Sequence, residues 1–140
     1  MLNIAVAQPH DINAMLALDA LVTGAPPRQR SIAETVHRQR ACVAYINAEL
    51  CGFLLLHEHF FDYPFIELLI VHPLYRRQGI GTALMRTAET SVVSTKIFTS
   101  TNTSNAAMQQ LCTQLGYLHC GTLSCLDEED PEEFYCKYLA

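Results

Sequence analysis

A chain of 140 residues, half of them hydrophobic and only 16% charged, fits one domain spanning residues 1–140 with a substantial core, and leaves no room for a second. That charge content lies below the roughly 25% of ordinary soluble domains, and with the hydrophobic half it excludes a disordered chain. The net charge of −5 argues against a nucleic-acid partner, which needs a basic face, and it is local: Asp127, Glu128, Glu129, Asp130, Glu132 and Glu133 supply six of the 14 acids, so the remainder is close to neutral.

Asn3 to Ala7 alternates in polarity and predicts a first strand. Pro9 and Asp11 then open a helix to about Val22, which Gly24-Ala25-Pro26-Pro27 ends, and a second, polar helix spans about Arg30 to Arg38. Ala41 to Ile46 and Leu50 to His59 read as strands joined by the turn Asn47-Ala48-Glu49, and Asp62-Tyr63-Pro64 separates them from a strand Phe65 to Val71. Gly81 to Val93 carries Ala83, Leu84, Ala88 and Val92 at helical spacing, and Lys96 to Thr101 is a β-branched strand. Ser104 is placed to cap a helix from Asn105 to Leu115, which Gly116 stops. Two closing strands follow, about Tyr117 to Leu123 and Glu133 to Tyr138, with the acidic stretch between them. Strands first and alternating helix and strand later predict an α/β fold, a mixed sheet with helices on both faces.

No apolar run approaches the roughly 20 residues needed to cross a bilayer, and the N-terminus lacks a basic leader before an apolar stretch, so a cytoplasmic protein with no membrane partner is expected. The six cysteines include no Cys-x-x-Cys pair, which predicts buried reduced thiols. His57-Glu58-His59 invites a metal, but adjacent strand residues point to opposite faces, so no metal site is expected there.

Residues 71 to 82 hold the chemistry: Val71-His72-Pro73-Leu74-Tyr75-Arg76-Arg77-Gln78-Gly79-Ile80-Gly81-Thr82 leaves a strand, crosses a basic turn and enters a helix. A helix start has unpaired N–H groups and partial positive charge, so glycines and arginines beside it make a cradle for a phosphate. A P-loop would need a Gly-Lys-Ser/Thr that is missing here, and the dinucleotide fingerprint loses its third glycine to Leu84.

Arg76-x-x-Gly79-x-Gly81, preceded by Val-x-Pro, closely resembles the acetyl-CoA signature of the GNAT superfamily of N-acetyltransferases. Downstream, Asn105, Cys112, Gly116 and Tyr117 are similar in spacing to that family's second motif, N-x-x-A-x-x-x-Y-x-x-x-G-F. The resemblance covers roughly residues 40 to 139. It implies a GNAT-type sheet of about seven strands, splayed between the fourth and fifth, with acetyl-CoA as co-substrate in the gap. It further implies that the backbone of Arg77, Gln78, Gly79, Ile80, Gly81 and Thr82 holds the pyrophosphate, with Arg76 and Thr82 as side-chain donors. Ile70 and Val71 would pair the pantetheine arm like an added strand, and Asn105 would orient it from the other side.

The implied reaction is direct transfer of an acetyl group to a primary amine on a small molecule or peptide. Glu67, a lone carboxylate in an apolar strand, is the candidate base that takes the amine's proton; its alternative is a partly exposed glutamate at a strand entrance. Cys112 stands where relatives carry the tyrosine that protonates the departing thiolate. It either substitutes for that acid or packs, in which case water or Tyr135 serves. Phe61 and Tyr63 in the 60–63 turn, with the acidic stretch 127–133, are candidate walls for a cationic acceptor. The alternative function is a non-catalytic acyl-CoA-binding or regulatory domain. An exposed strand at Leu54–Leu56 would additionally serve a homodimer.

Overall fold

The computed structural model describes residues 1–140. In chain order the elements are β1 (Leu2–Val6), α1 (Ile12–Thr23), α2 (Gln29–His37), β2 (Ala41–Ile46), β3 (Glu49–Phe60) and β4 (Tyr63–Val71). They are followed by α3 (Ile80–Thr90), β5 (Lys96–Asn102), α4 (Ala106–Gln114), β6 (Leu118–Leu123) and β7 (Glu132–Tyr138). The seven strands form one sheet in the order β1-β2-β3-β4-β5-β7-β6. Every neighbouring pair is antiparallel except β4–β5.

The apolar patterning explains the layers. Along β3, Phe53 and Leu55 pack with Met15, Leu18, Ile32 and Val36 of α1 and α2. The alternate residues Leu54 and Leu56 pack with Ile80, Leu84 and Met85 of α3 and Cys112 of α4. A consecutive apolar run is what a strand covered on both faces requires. Leu54–Leu56 are therefore interior, at most 3% exposed, and the expectation that this strand lies open for a homodimer is corrected.

Both hairpins that deliver β4 to its place turn on two residues. Asn47 and Ala48 have φ of 50° and 68°, and Phe61 and Asp62 have φ of 52° and 67°. Two successive left-handed residues match the twist of the flanking strands, so the separator expected at 62–64 contracts and β4 begins at Tyr63. The cap of α4 is also reassigned: Asn105, not Ser104, accepts the N–H of Met108 at 3.1 Å. Ser104 instead donates its hydroxyl to Asp130 at 2.5 Å, fastening the start of α4 to the acidic connection.

Candidate functional site

β4 and β5 pair only at Phe65↔Phe98 and Ile66↔Thr99. Beyond Ile66 the two parallel strands separate, which leaves the β5-facing edge of residues 67–71 without a strand partner. On the other edge the register with β3 passes from Leu56↔Ile66 to Leu55↔Leu68, so Glu67 is the extra residue of a β-bulge. A bulge re-aims a side chain, and here it does so at the residue where the sheet opens. Glu67 is exposed.

Into this opening runs a cleft of about 800 Å³, between the end of β4, the 75–82 segment and α4. Its mouth is basic, with Arg76 and Arg77, and it ends on the first turn of α3. The first helical bond there runs from the N–H of Ala83 to Gly79, so the N–H groups of Ile80, Gly81 and Thr82 have no intrahelical acceptor. No side chain caps that end. Arg77 at φ 65° and Gly79 at φ 79° turn the loop through left-handed conformations, which Gly79 adopts without strain. A Cβ on Gly81 would project into the cleft, 3.1 Å from Leu111 and 3.7 Å from Leu69.

The structure brings together Val71, Arg76, Arg77, Gly79, Ile80, Gly81, Thr82 and Asn105 around the cleft. The Ile70 side chain turns instead into the α1/α2 core, and Gln78 does not border the cleft. Asn105 uses its carbonyl oxygen for the cap, leaving its amide nitrogen as a donor. Position 108, alanine in the second motif, is methionine here, and Met108 and Leu111 supply apolar walls that the motif reading did not name. No three His, Cys, Asp or Glu side chains converge as a metal-binding set. The cleft thus offers apolar wall segments from Leu69, Val71, Met108 and Leu111 beside a cationic mouth.

Cys112 lies on the core side of α4, fully buried among apolar side chains, and burial pushes its thiol up to about 12. A thiol that weak is a poor proton donor. Tyr135, 5% exposed, donates its hydroxyl to Gln109 at 3.3 Å, and burial above all raises its pKa. Phe61 and Tyr63 border neither this cleft nor the polar cavity beside Glu67. Phe61 projects from the hairpin tip, 82% exposed. The ring of Tyr63 is already met by Lys96, 4.9 Å from its centroid.

The acidic connection is similarly engaged. Glu132 accepts from Ser100 at 2.7 Å, and Asp130 holds the start of α4. Glu133 accepts from Thr103 and Thr122 and meets His119 at 2.7 Å, bonds that hold its carboxyl low, at about 2. Three of the six acids are therefore fasteners for β5, β6 and α4, which leaves less of the patch to attract a ligand. Of the cysteines, Cys120 and Cys125 are exposed, against the expectation of uniformly buried thiols; all six are unpaired.

An open sheet that splits at the carboxyl ends of two parallel strands, over a free helix N-terminus, is the α/β class of arrangement in which a strand switch point is suited to an anionic ligand. A profile of the Acetyltransferase (GNAT) family matches residues 11–117. An acetyltransferase of the GNAT family from Bacillus cereus ATCC 10987 is 31% identical, covers 100% of this chain and 99% of its own, and superposes with a TM-score of 0.94. An N-acetyltransferase from Staphylococcus aureus Mu50 is 23% identical over 100% of this chain and 99% of its own, TM-score 0.83. The ribosomal-protein-S18-alanine N-acetyltransferase from Escherichia coli shares the fold at 19% identity, with 100% and 95% coverage and a TM-score of 0.83. No curated protein sequence matches significantly. The chain belongs to the GNAT family of acetyltransferases.

Proposed function

We propose that the protein transfers an acetyl group from acetyl-CoA directly to a primary amine. The observation that carries this reading is the arrangement along β4: the basic cleft at the start of α3 borders Leu69 and Val71 on the stretch without a β5 partner, and two residues before Leu69 the bulge presents Glu67 to the neighbouring polar cavity. The pyrophosphate belongs on the N–H groups of residues 80–82 with Arg76 and Arg77 beside it. The pantetheine arm pairs with the free edge of β4 as an added strand. The thioester then arrives at the opening, and the amine meets it from the Glu67 side.

A lysine-like amine of pKa about 10.4 is neutral in only about one part in 2,500 at pH 7, a cost of roughly 4.6 kcal/mol. Glu67 takes that proton, directly or through a water, as the amine attacks the thioester carbon. The tetrahedral adduct collapses to the amide and CoA thiolate, and the thiolate takes a proton from water, since the hydroxyl of Tyr135 is buried, raised in pKa and engaged by Gln109. Cys112 packs and takes no part. Cys112→Ala should accordingly cost about 1 kcal/mol of stability through a small cavity and leave the single-turnover rate unchanged. A rate loss of about 100-fold in that variant, with none in Tyr135→Phe, would make Cys112 the acid instead.

The proposal is tested by melting curves with CoA or acetyl-CoA, and by thiol release over a panel of amines. A ligand at 100 times its dissociation constant stabilises a fold by about 2.7 kcal/mol, a shift of several degrees for a chain of this size. No shift at millimolar ligand overturns the reading.

A further inference from the structure

On the α1/α2 side of the sheet, α2 and the β3–β4 hairpin enclose a second cavity of about 420 Å³, within the usual range of roughly 300–1,000 Å³ for small-ligand sites. Leu56 is its single apolar wall residue. From α2 and its C-cap it receives Ser31, Glu34, Thr35 and Arg38, spaced i, i+3, i+4 and i+7, hence one face of the helix and its end. From the sheet side it receives Arg40, His57, Glu58, His59 and Glu67.

The charges can be assigned one by one. Glu34 is bonded by Arg30 at 3.1 Å, and Arg40 is bonded by Glu58 at 2.9 Å. Arg38 on the helix wall and Glu67 on the sheet make no ion pair, with each other or with any other group. His57, the histidine packed nearest the bulge strand, favours its neutral form and so opposes an ammonium at Glu67 little. His57 accepts the N–H of His59 on its Nδ1 at 3.0 Å, and burial, the largest influence on it, lowers its pKa. The cavity therefore offers one free cation and one free anion on two different walls, and it contains the carboxylate at which the sheet opens.

We infer that the acceptor is a small zwitterion, a free amino acid whose carboxylate is held by Arg38 while its amine faces Glu67 and the thioester. This inference rests on the proposed acetyl transfer and names the substrate class of that same site. A guanidinium forks onto a carboxylate with two parallel bonds, which fixes the orientation of the amine as well as its position. A peptide N-terminus or a simple diamine supplies the amine but leaves Arg38 unmatched. Arg38 is exposed, so its contribution belongs at the low end for charge-assisted bonds, about tenfold.

The test compares free amino acids with their own carboxamides, by thiol release from acetyl-CoA, in wild type and Arg38→Gln. The expected result is a KM for the free acids about tenfold higher in the variant at unchanged kcat, with the carboxamide kinetics and the acetyl-CoA melting shift unaltered. Comparing each substrate between the two enzymes cancels the difference in amine basicity between acid and carboxamide. An unchanged KM for the acids, an equal rise for acids and carboxamides, or turnover confined to carboxamides or blocked peptides would overturn it. If nothing in the panel is acetylated while acetyl-CoA still shifts the melting curve, the amino-acid inference fails and the donor site stands. Loss of that shift as well removes both.

Discussion

Gly81→Glu is expected to weaken acetyl-CoA binding by more than 100-fold, about 2.7 kcal/mol, while leaving a folded protein. Gly81 is the second residue of α3, where the backbone is helical and any side chain is conformationally tolerated. The obstacle is spatial: its Cβ direction enters the cleft between Leu111, Leu69 and Val71, at 3.1, 3.7 and 4.0 Å. Glutamate there brings four more heavy atoms beyond that Cβ and a negative charge beside the N–H groups proposed for the pyrophosphate. Two unit charges about 4 Å apart repel by roughly 1 kcal/mol in water and about 4 kcal/mol at a protein surface. A further part of the loss comes from the carboxylate capping the helix start itself. The flexible tip of Leu111 must yield by a few tenths of an ångström, so a stability cost at the lower end of the 1–3 kcal/mol seen for overpacking is expected. Calorimetric titration of the variant, alongside its melting curve without ligand, separates the two effects. Unchanged affinity in a folded Gly81→Glu would move the phosphate site elsewhere.

The placement of the loop and of Glu67 explains why this fold holds two substrates without crowding them. Leu69 and Val71 face the α3/α4 side, where the cleft lies, and Ile70 faces the α1/α2 side. The bulge at Glu67 interrupts that alternation, and the carboxylate reaches the polar cavity beneath α2. The donor is thus proposed on one side and the acceptor on the other, with the unpaired stretch of β4 as the shared wall.

The donor half of this arrangement is legible in the sequence because it is local. Strand, basic turn, Gly79, Gly81 and helix follow one another within a dozen residues, and the physics of a helix start needs no distant partner. The acceptor half is not local. Ser31, Glu34, Thr35 and Arg38 announce a polar helix face, but only tertiary packing shows that this face lies over Glu67 rather than open water. Phe61 and Tyr63 suggest a pocket wall by composition. Their turn actually projects Phe61 outward, and Lys96, thirty-three residues on from Tyr63, occupies the ring that a cationic ligand would have met. The bulge itself is invisible to period-2 reading, because it is defined by the loss of one partner on β3. Asn105 and Ser104 exchange roles for a similar reason: Asp130, far along the chain, claims the serine.

Glu67→Gln is expected to lower the acetylation rate by about 100-fold at pH 7 and progressively less towards pH 10. Glutamine keeps the length and volume of the side chain and fills the same place in the bulge, so the cleft and the cavity should retain their shapes. What is lost is the group that accepts the ammonium proton. For an amine of pKa about 10.4, the neutral fraction rises from about one part in 2,500 at pH 7 to nearly a third at pH 10, so alkali progressively supplies what the carboxylate did. The sign of the change is therefore fixed: the ratio of wild-type to variant rate should fall as pH rises, with acetyl-CoA affinity unchanged. Single-turnover rates at saturating amine, across pH 7 to 10, measure that ratio without interference from product release. A loss of equal size at every pH would mean that Glu67 positions the amine electrostatically and takes no proton. Unchanged rates at every pH would assign the proton to another acceptor and reduce Glu67 to an exposed residue of the bulge.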